Sequence, residues 1–172
     1  MAIEVKGPQF ELGRLSPTMA PGTIVHADGK LALVAVSGDA AAGRTPPLLL
    51  ASFDPQKKMF MLSPYDGNTV LALRGDVVIE PDLSIPGGRG SPGAGSTTEC
   101  YFNGEAFFIP LSVPAAPDQR PILNLDSGTV HSQWINQAHV FERWRLGVRH
   151  DGRVTWVLAI GADLIPWASD VI

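Results

Sequence analysis

The chain is poor in cysteine, in charge and in long apolar runs. Cys100 is the only cysteine among 172 residues, so no internal disulfide can form and a stapled miniature fold is excluded. Charged residues make up 17% of the chain, against roughly 25% in an average soluble domain, which leaves little charge to cover a surface. The formal net charge is −4, the wrong sign for a protein that gains affinity by neutralising phosphates, and nucleic acid is not expected as a partner. No stretch approaches the roughly 18 apolar residues that span a bilayer, so no membrane segment is expected. The opening MAIEVKGPQFELG has neither a basic start nor an apolar stretch of signal-peptide type. A soluble, leaderless protein of the cytoplasm or of a virion is the expectation.

What the chain has in quantity is backbone punctuation and strand formers. It holds 18 Gly and 15 Pro with a hydrophobic content of 45%, more breakers than helices tolerate and too little charge for disorder. Taking about 150 residues per domain, residues 1–172 make a single β domain. A division into two lobes could fall only at residues 84–98, a stretch dominated by Gly, Pro and Ser.

Turn signals between apolar runs spell hairpins. TIVHA and KLALVAVSG flank Asp28-Gly29, PLLLASF and KMFML flank Asp54-Pro55, NTVLALR and VVIE flank Gly75-Asp76, CYF and EAFFIPL flank Asn103-Gly104, and FERWRLGVR and VTWVLAIG flank Asp151-Gly152. Asn103-Gly104 is expected to be a two-residue type I′ turn with both residues at positive φ. The expected fold is all-β, an antiparallel sandwich or flattened barrel of jelly-roll type with roughly 10–13 strands. One short helix is expected near residues 132–138, where Trp134, Ile135, Ala138 and Phe141 recur at helical spacing behind Ser132.

Catalytic patterns are weak. His26, His131, His139 and His150 show no metal-binding spacing, although His139 and Glu142 would share a helix face if a helix persisted, with His131 near. Gly88, Gly90 and Gly93 mimic a dinucleotide loop, but Pro92 interrupts it and a strand-like TTECYF follows instead of a helix. Cys100 lies in a hydrophobic strand with no neighbouring base. Glu99 and Glu105 flank one hairpin tip, with Glu105 expected opposite Phe102 and Glu99 opposite Phe108. No cofactor and no metal are expected.

The C-terminal hairpin is the most informative element. In RWRLGVR a period of two puts Trp144, Leu146 and Val148 on one face and Arg143, Arg145 and Arg149 on the other. With Arg153 these form a positive stripe, a surface for a partner protein, an acidic chain or an acidic glycan, since Arg pairs carboxylates bidentately. On the returning strand, Val154, Trp156, Leu158 and Ile160 are expected on one side and Val157 and Ala159 on the other.

Arg74-Gly75-Asp76 spells the R-G-D of adhesion ligands at a turn. HDGRVTWVLAIG followed by WAS is similar to the repeat of bulb-type mannose lectins, which implies sugar binding. Where that family places Gln, Asn and Tyr, however, this chain has Arg149, Arg153 and Val157. Trp134, Trp167 and Tyr101 are the candidate platforms for a carbohydrate. The leading expectation is a non-catalytic structural or assembly protein, a phage or virion component such as a capsid decoration or tail protein, acting through self-association or a larger lattice. The alternatives are a carbohydrate-binding module and a hydrolase with a distributed His/carboxylate site.

Overall fold

A computed structural model describes residues 10–15, 20–38, 45–84, 89–90, 98–132 and 137–161. In chain order the strands are β1 (Phe10–Arg14), β2 (Ile24–Ala27), β3 (Lys30–Ser37), β4 (Leu48–Asp54), β5 (Met59–Pro64), β6 (Thr69–Leu73), β7 (Asp76–Pro81) and β8 (Arg89–Gly90). They continue as β9 (Cys100–Phe102), β10 (Phe107–Ser112), β11 (Ile122–Asn124), β12 (Thr129–His131), β13 (Ala138–Phe141), β14 (Trp144–His150) and β15 (Arg153–Ile160). The molecule is all-β. Of the helix expected near 132–138, residues 133–136 lie outside the described residues. Next to them Gln137 sits at φ 59° and β13 begins at Ala138, so the helical spacing does not continue.

Six strands close a barrel in the order β3, β4, β5, β10, β11, β12 and back to β3. Four of its contacts are antiparallel, whereas β5–β10 and β3–β12 are parallel. The expectation of purely antiparallel pairing is corrected there, because both parallel contacts join strands that are distant in sequence. Closure works by sharing an edge. β3 gives the first part of one edge to β2 and then gives Val36 and Ser37 to β12. β10 likewise pairs β9 at Phe107 and Phe108, and β5 at Leu111 and Ser112. From these splits β2, β6 and β1 splay off one side, and β9, β13 and β8 off the other.

Period-two alternation fills the interior. Leu33 and Ala35 of β3, Ala51 of β4, Phe60 of β5, Ile109 and Leu111 of β10 and Leu123 of β11 point into the main core. The opposite face of β3, with Ala32 and Val34, joins Val25, Leu50 and Val70 in a second cluster. β3 is therefore apolar on both faces because both are covered.

Four of the five expected hairpins form: β2–β3, β4–β5, β9–β10 and β14–β15. Asp28-Gly29 at φ 49° and 74°, and Asp151-Gly152 at 49° and 76°, have the two positive values of type I′. β6 and β7 do not pair. β6 lies between β1 and β2 in the large sheet, while β7 joins a separate sheet of order β15-β14-β7.

The β9–β10 connection also differs from expectation. Phe102 pairs with Phe107 and Tyr101 with Phe108, so the turn is centred on Gly104-Glu105 and only Gly104 is at positive φ, 100°. The Asn103 side chain explains the shift, because its Oδ1 accepts the amides of Glu105 and Ala106 at 3.0 Å each. Gly104→Val is expected to cost about 1–2 kcal/mol through its backbone alone, since no atom lies near the added Cβ. An unchanged melting midpoint would contradict that turn geometry.

Candidate functional site

The three-stranded sheet has an inner and an outer face. Inward, Val77 and Ile79 of β7, Trp144, Leu146 and Val148 of β14, and Leu158 and Ile160 of β15 pack into the main core. Trp144 is fully buried, its ring 6.4 Å from that of Phe60, and its Nε1 donates to the Thr98 carbonyl at 2.8 Å. The expected inner face of RWRLGVR is therefore the observed one.

Outward, the arginines meet β7 rung by rung. The ladder sets Arg149 opposite Asp76, Gly147 opposite Val78 and Arg145 opposite Glu80. Arg145 donates from Nη2 to Glu80 Oε1 at 2.9 Å. Arg143 lies 3.1 Å from the Asp82 carboxylate, and the Asp82 amide donates to the Arg143 carbonyl at 2.9 Å. Arg143 and Arg145 are only 4% and 3% exposed, whereas Arg149 and Arg153 are exposed. The continuous positive stripe read from the sequence is thus corrected to two buried, carboxylate-paired arginines and two exposed ones. The missing information was the location of Glu80 and Asp82, which only the β7–β14 pairing supplies.

A second correction concerns β15. Leu146 pairs with Leu158 but Gly147 pairs with Trp156, so Val157 is a β-bulge. One extra residue reverses the alternation. Leu158 and Ile160 stay inside, while Trp156 and Val154 move to the outer face over Gly147. A Cβ on Gly147 would come 2.7 Å from the indole and 2.8 Å from the Thr155 carbonyl oxygen, so this glycine makes room for the ring. The Arg145 guanidinium carbon lies 4.0 Å from the Trp156 ring centroid, a cation–π contact. The outer face is therefore a half-exposed strip of Val78, Val154 and Trp156 among matched charges.

Asp82 is the group on this face with a shifted titration. Its pKa is held below the ordinary 3.8, first by the Ser84 hydroxyl and amide that donate to its carboxylate, then by the charge of Arg143. A depressed folded value gives stability that is fully present above the unfolded pKa and is lost as pH falls through the folded value. Asp82→Asn is expected to flatten the loss of stability below about pH 4, read as melting midpoint against pH. An unaltered acid limb would refute the role.

The remaining candidates are scattered. Arg74, Gly75 and Asp76 are exposed where the chain leaves β6 for β7. A Cβ on Gly75 would lie 2.3 Å from the Arg149 carbonyl oxygen, so close packing against β14 requires this glycine at φ 135°. Trp134 and Trp167 lie outside the described residues. Tyr101 is 1% exposed and its hydroxyl donates to the Glu99 carboxylate, so it offers no ring face to a sugar. Burial, and then that carboxylate, raise its pKa. Cys100 is buried with its thiol pushed far up by desolvation, which disfavours the thiolate a nucleophile needs.

His26, His131, His139 and His150 stand on β2, β12, β13 and β14, and among the described residues no three His, Cys, Asp or Glu side chains converge. His139 and Glu142 do not share a helix face, because Ala138–Phe141 is a strand. The expected partners of Glu99 and Glu105 are corrected: Phe102 lies opposite Phe107 and Phe108 opposite Tyr101, which leaves Glu105 in the turn. A groove of about 290 Å³ opens between the β2–β3 turn and the β5–β6 loop. Its walls include Lys30, Ser52, Met61, Asp66 and Asn68, and Tyr65, whose hydroxyl accepts the Leu15 amide and donates to the Asn68 carbonyl. No histidine lines it. No helix among the described residues is long and apolar enough to cross a membrane.

Compared with known protein families, curated proteins and solved structures, the chain matches none.

Proposed function

We propose that the protein is a non-catalytic assembly component, of the kind that decorates a capsid or builds a phage tail, and that it docks through the outer face of the β7-β14-β15 sheet. The observation that carries this is the charge matching across that face. Arg143 and Arg145 are neutralised by Asp82 and Glu80 of the same chain, so covering them does not strand a charge. Beside these rungs lies the Val78, Val154 and Trp156 strip, with Arg149 exposed at its far end. An aromatic and aliphatic centre with arginines at the rim is the anatomy of a protein interface. The low overall charge supports the same reading, because a surface meant to be covered carries fewer charges.

Arg145 already lies over the Trp156 ring, which leaves this tryptophan a poorer stacking platform for a sugar than for a packed side chain. The experiment is sedimentation of the tagged chain from its source material. The wild type is expected to travel with a large particle. Val78→Asp, on the half-exposed strip, is expected to release it at an unchanged melting midpoint. A wild-type chain recovered only as free protein would overturn the proposal.

A further inference from the structure

We propose that Asn103 is a site of spontaneous covalent modification, at which the folded turn promotes loss of the side-chain amide as ammonia through a cyclic imide formed with Gly104. The assembly reading is not needed for it.

Such a reaction requires a polarised electrophile, a free nucleophile and room for the two to meet. Asn103 Oδ1 accepts the amides of Glu105 and Ala106 at 3.0 Å each. Two backbone N–H groups aimed at one carbonyl oxygen draw charge from Cγ and hold the negative charge that builds on that oxygen when Cγ is attacked. The ring of atoms closed by Oδ1 and the Glu105 N–H contains the Gly104 nitrogen, so Cγ is held on the side of its nucleophile. Among the described residues no acceptor takes the Gly104 N–H. Asn103, Gly104 and Glu105 are all exposed, and nothing lies within 4 Å of the Cβ position of Gly104. Water and hydroxide therefore reach the turn, and the missing side chain leaves the nitrogen free to approach Cγ.

Hydroxide takes the Gly104 amide proton, the nitrogen bonds to Cγ, and the Cγ–Nδ2 bond breaks as ammonia leaves with a proton from water. Water then opens the imide. Attack at Cγ gives an aspartyl residue, whereas attack at the main-chain carbonyl gives an isoaspartyl residue and routes the chain through the former side chain. One water is consumed and one ammonia released, with no oxidant or reductant. The other asparagines supply the contrast. Asn124 has the same cradle, its Oδ1 accepting the amides of Asp126 and Ser127 at 2.9 and 3.1 Å. Its nucleophile, however, is the amide of buried Leu125, which donates to the Phe107 carbonyl at 2.8 Å. Asn68 precedes the β-branched Thr69, and its Nδ2, the leaving group, donates to the Asp66 carboxylate. Asn136 lies outside the described residues. Among the described residues the three requirements coincide only at Asn103.

The test incubates the purified full chain at mildly alkaline pH and reads each asparagine by peptide mass spectrometry, with circular dichroism confirming that the protein stays folded. Isomerisation at Asp28-Gly29 or Asp151-Gly152 leaves the mass unchanged, so the mass reports asparagine alone. Asn103 is expected to lose its amide, faster as the pH rises, and to yield both aspartyl and isoaspartyl products, while Asn68 and Asn124 keep theirs. Denaturant dissolves the cradle but preserves the Asn-Gly pair. Loss at Asn103 is therefore expected to be at least as fast in the folded protein as in the unfolded chain. An Asn103 amide that lasts as long as that of Asn124 in the folded protein, or that is lost more slowly there than in denaturant, overturns the proposal.

Discussion

Trp144→Ala is expected to lower the unfolding free energy by about 3–5 kcal/mol, as truncating a buried tryptophan does. That is a large share of the roughly 5–15 kcal/mol that holds a domain of this kind together, and for this length it corresponds to roughly 6–20 °C in melting midpoint. The residue has no exposed surface, stacks near Phe60 of the barrel and donates its indole N–H to the Thr98 carbonyl. Removing it opens a cavity where the small sheet meets the barrel and deprives the half-buried Thr98 carbonyl of this donor. Trp144→Phe separates the two losses. It keeps most of the apolar volume and forfeits the hydrogen bond, with an expected cost of about 1–3 kcal/mol. Chemical denaturation measures both, and a cost below about 1 kcal/mol for the alanine variant would show that the two sheets are not joined through this ring.

The second large effect belongs to Gly128, and its informative comparison is Gly29. Both sit at positive φ, 66° and 74°, so alanine at either position incurs the left-handed backbone penalty of about 1–2 kcal/mol. Around Gly29 nothing lies within 4 Å of the new Cβ, and the penalty is the whole expected effect. At Gly128 the new atom would stand 2.2 Å from the Gly22 amide nitrogen and 2.4 Å from the Pro21 carbonyl carbon. Those are backbone atoms, and they cannot swing aside. Gly22 donates to the Val34 carbonyl at 2.8 Å, and the Gly128 carbonyl accepts the Val36 amide at 3.0 Å, so any shift pulls at the strand that closes the barrel. Gly128→Ala is therefore expected to cost at least about 3 kcal/mol more than Gly29→Ala, a step into the severe tail of single substitutions. Equal costs at the two positions, in the same denaturation experiment, would mean that the Pro21–Gly128 approach is not tight.

The sequence by itself determined the local conformations. Asp28-Gly29 and Asp151-Gly152 adopt two consecutive positive φ values because Gly, and Asp after it, tolerate the left-handed region best. Alternation along RWRLGVR named Trp144, Leu146 and Val148 as the buried face because the side-chain period of a strand is fixed at two. The all-β class follows from many such short-range signals in agreement. Where one side chain competed with the backbone, as Asn103 does in accepting two amides, the same kind of signal placed a turn correctly and missed its centre by one residue.

Tertiary structure decided everything that depends on which strand meets which edge. VVIE reads as the return strand of a hairpin, yet β7 pairs with β14, some 65 residues further on, because the flanks of β6 are taken by β1 and β2. That single choice brings Glu80 and Asp82 to Arg145 and Arg143, converting an apparent basic stripe into buried ion pairs. The bulge at Val157 is equally silent in the sequence. It exists only relative to the partner register, and one unpaired residue parts Trp156 from Leu158 and Ile160 and sends it to the outer face. Gly75, Gly128 and Gly147 likewise look like ordinary glycines until another chain segment lies against them. Local preferences act over a few bonds, whereas strand pairing is set by the competition of every available edge for a partner, and a linear sequence does not display that competition.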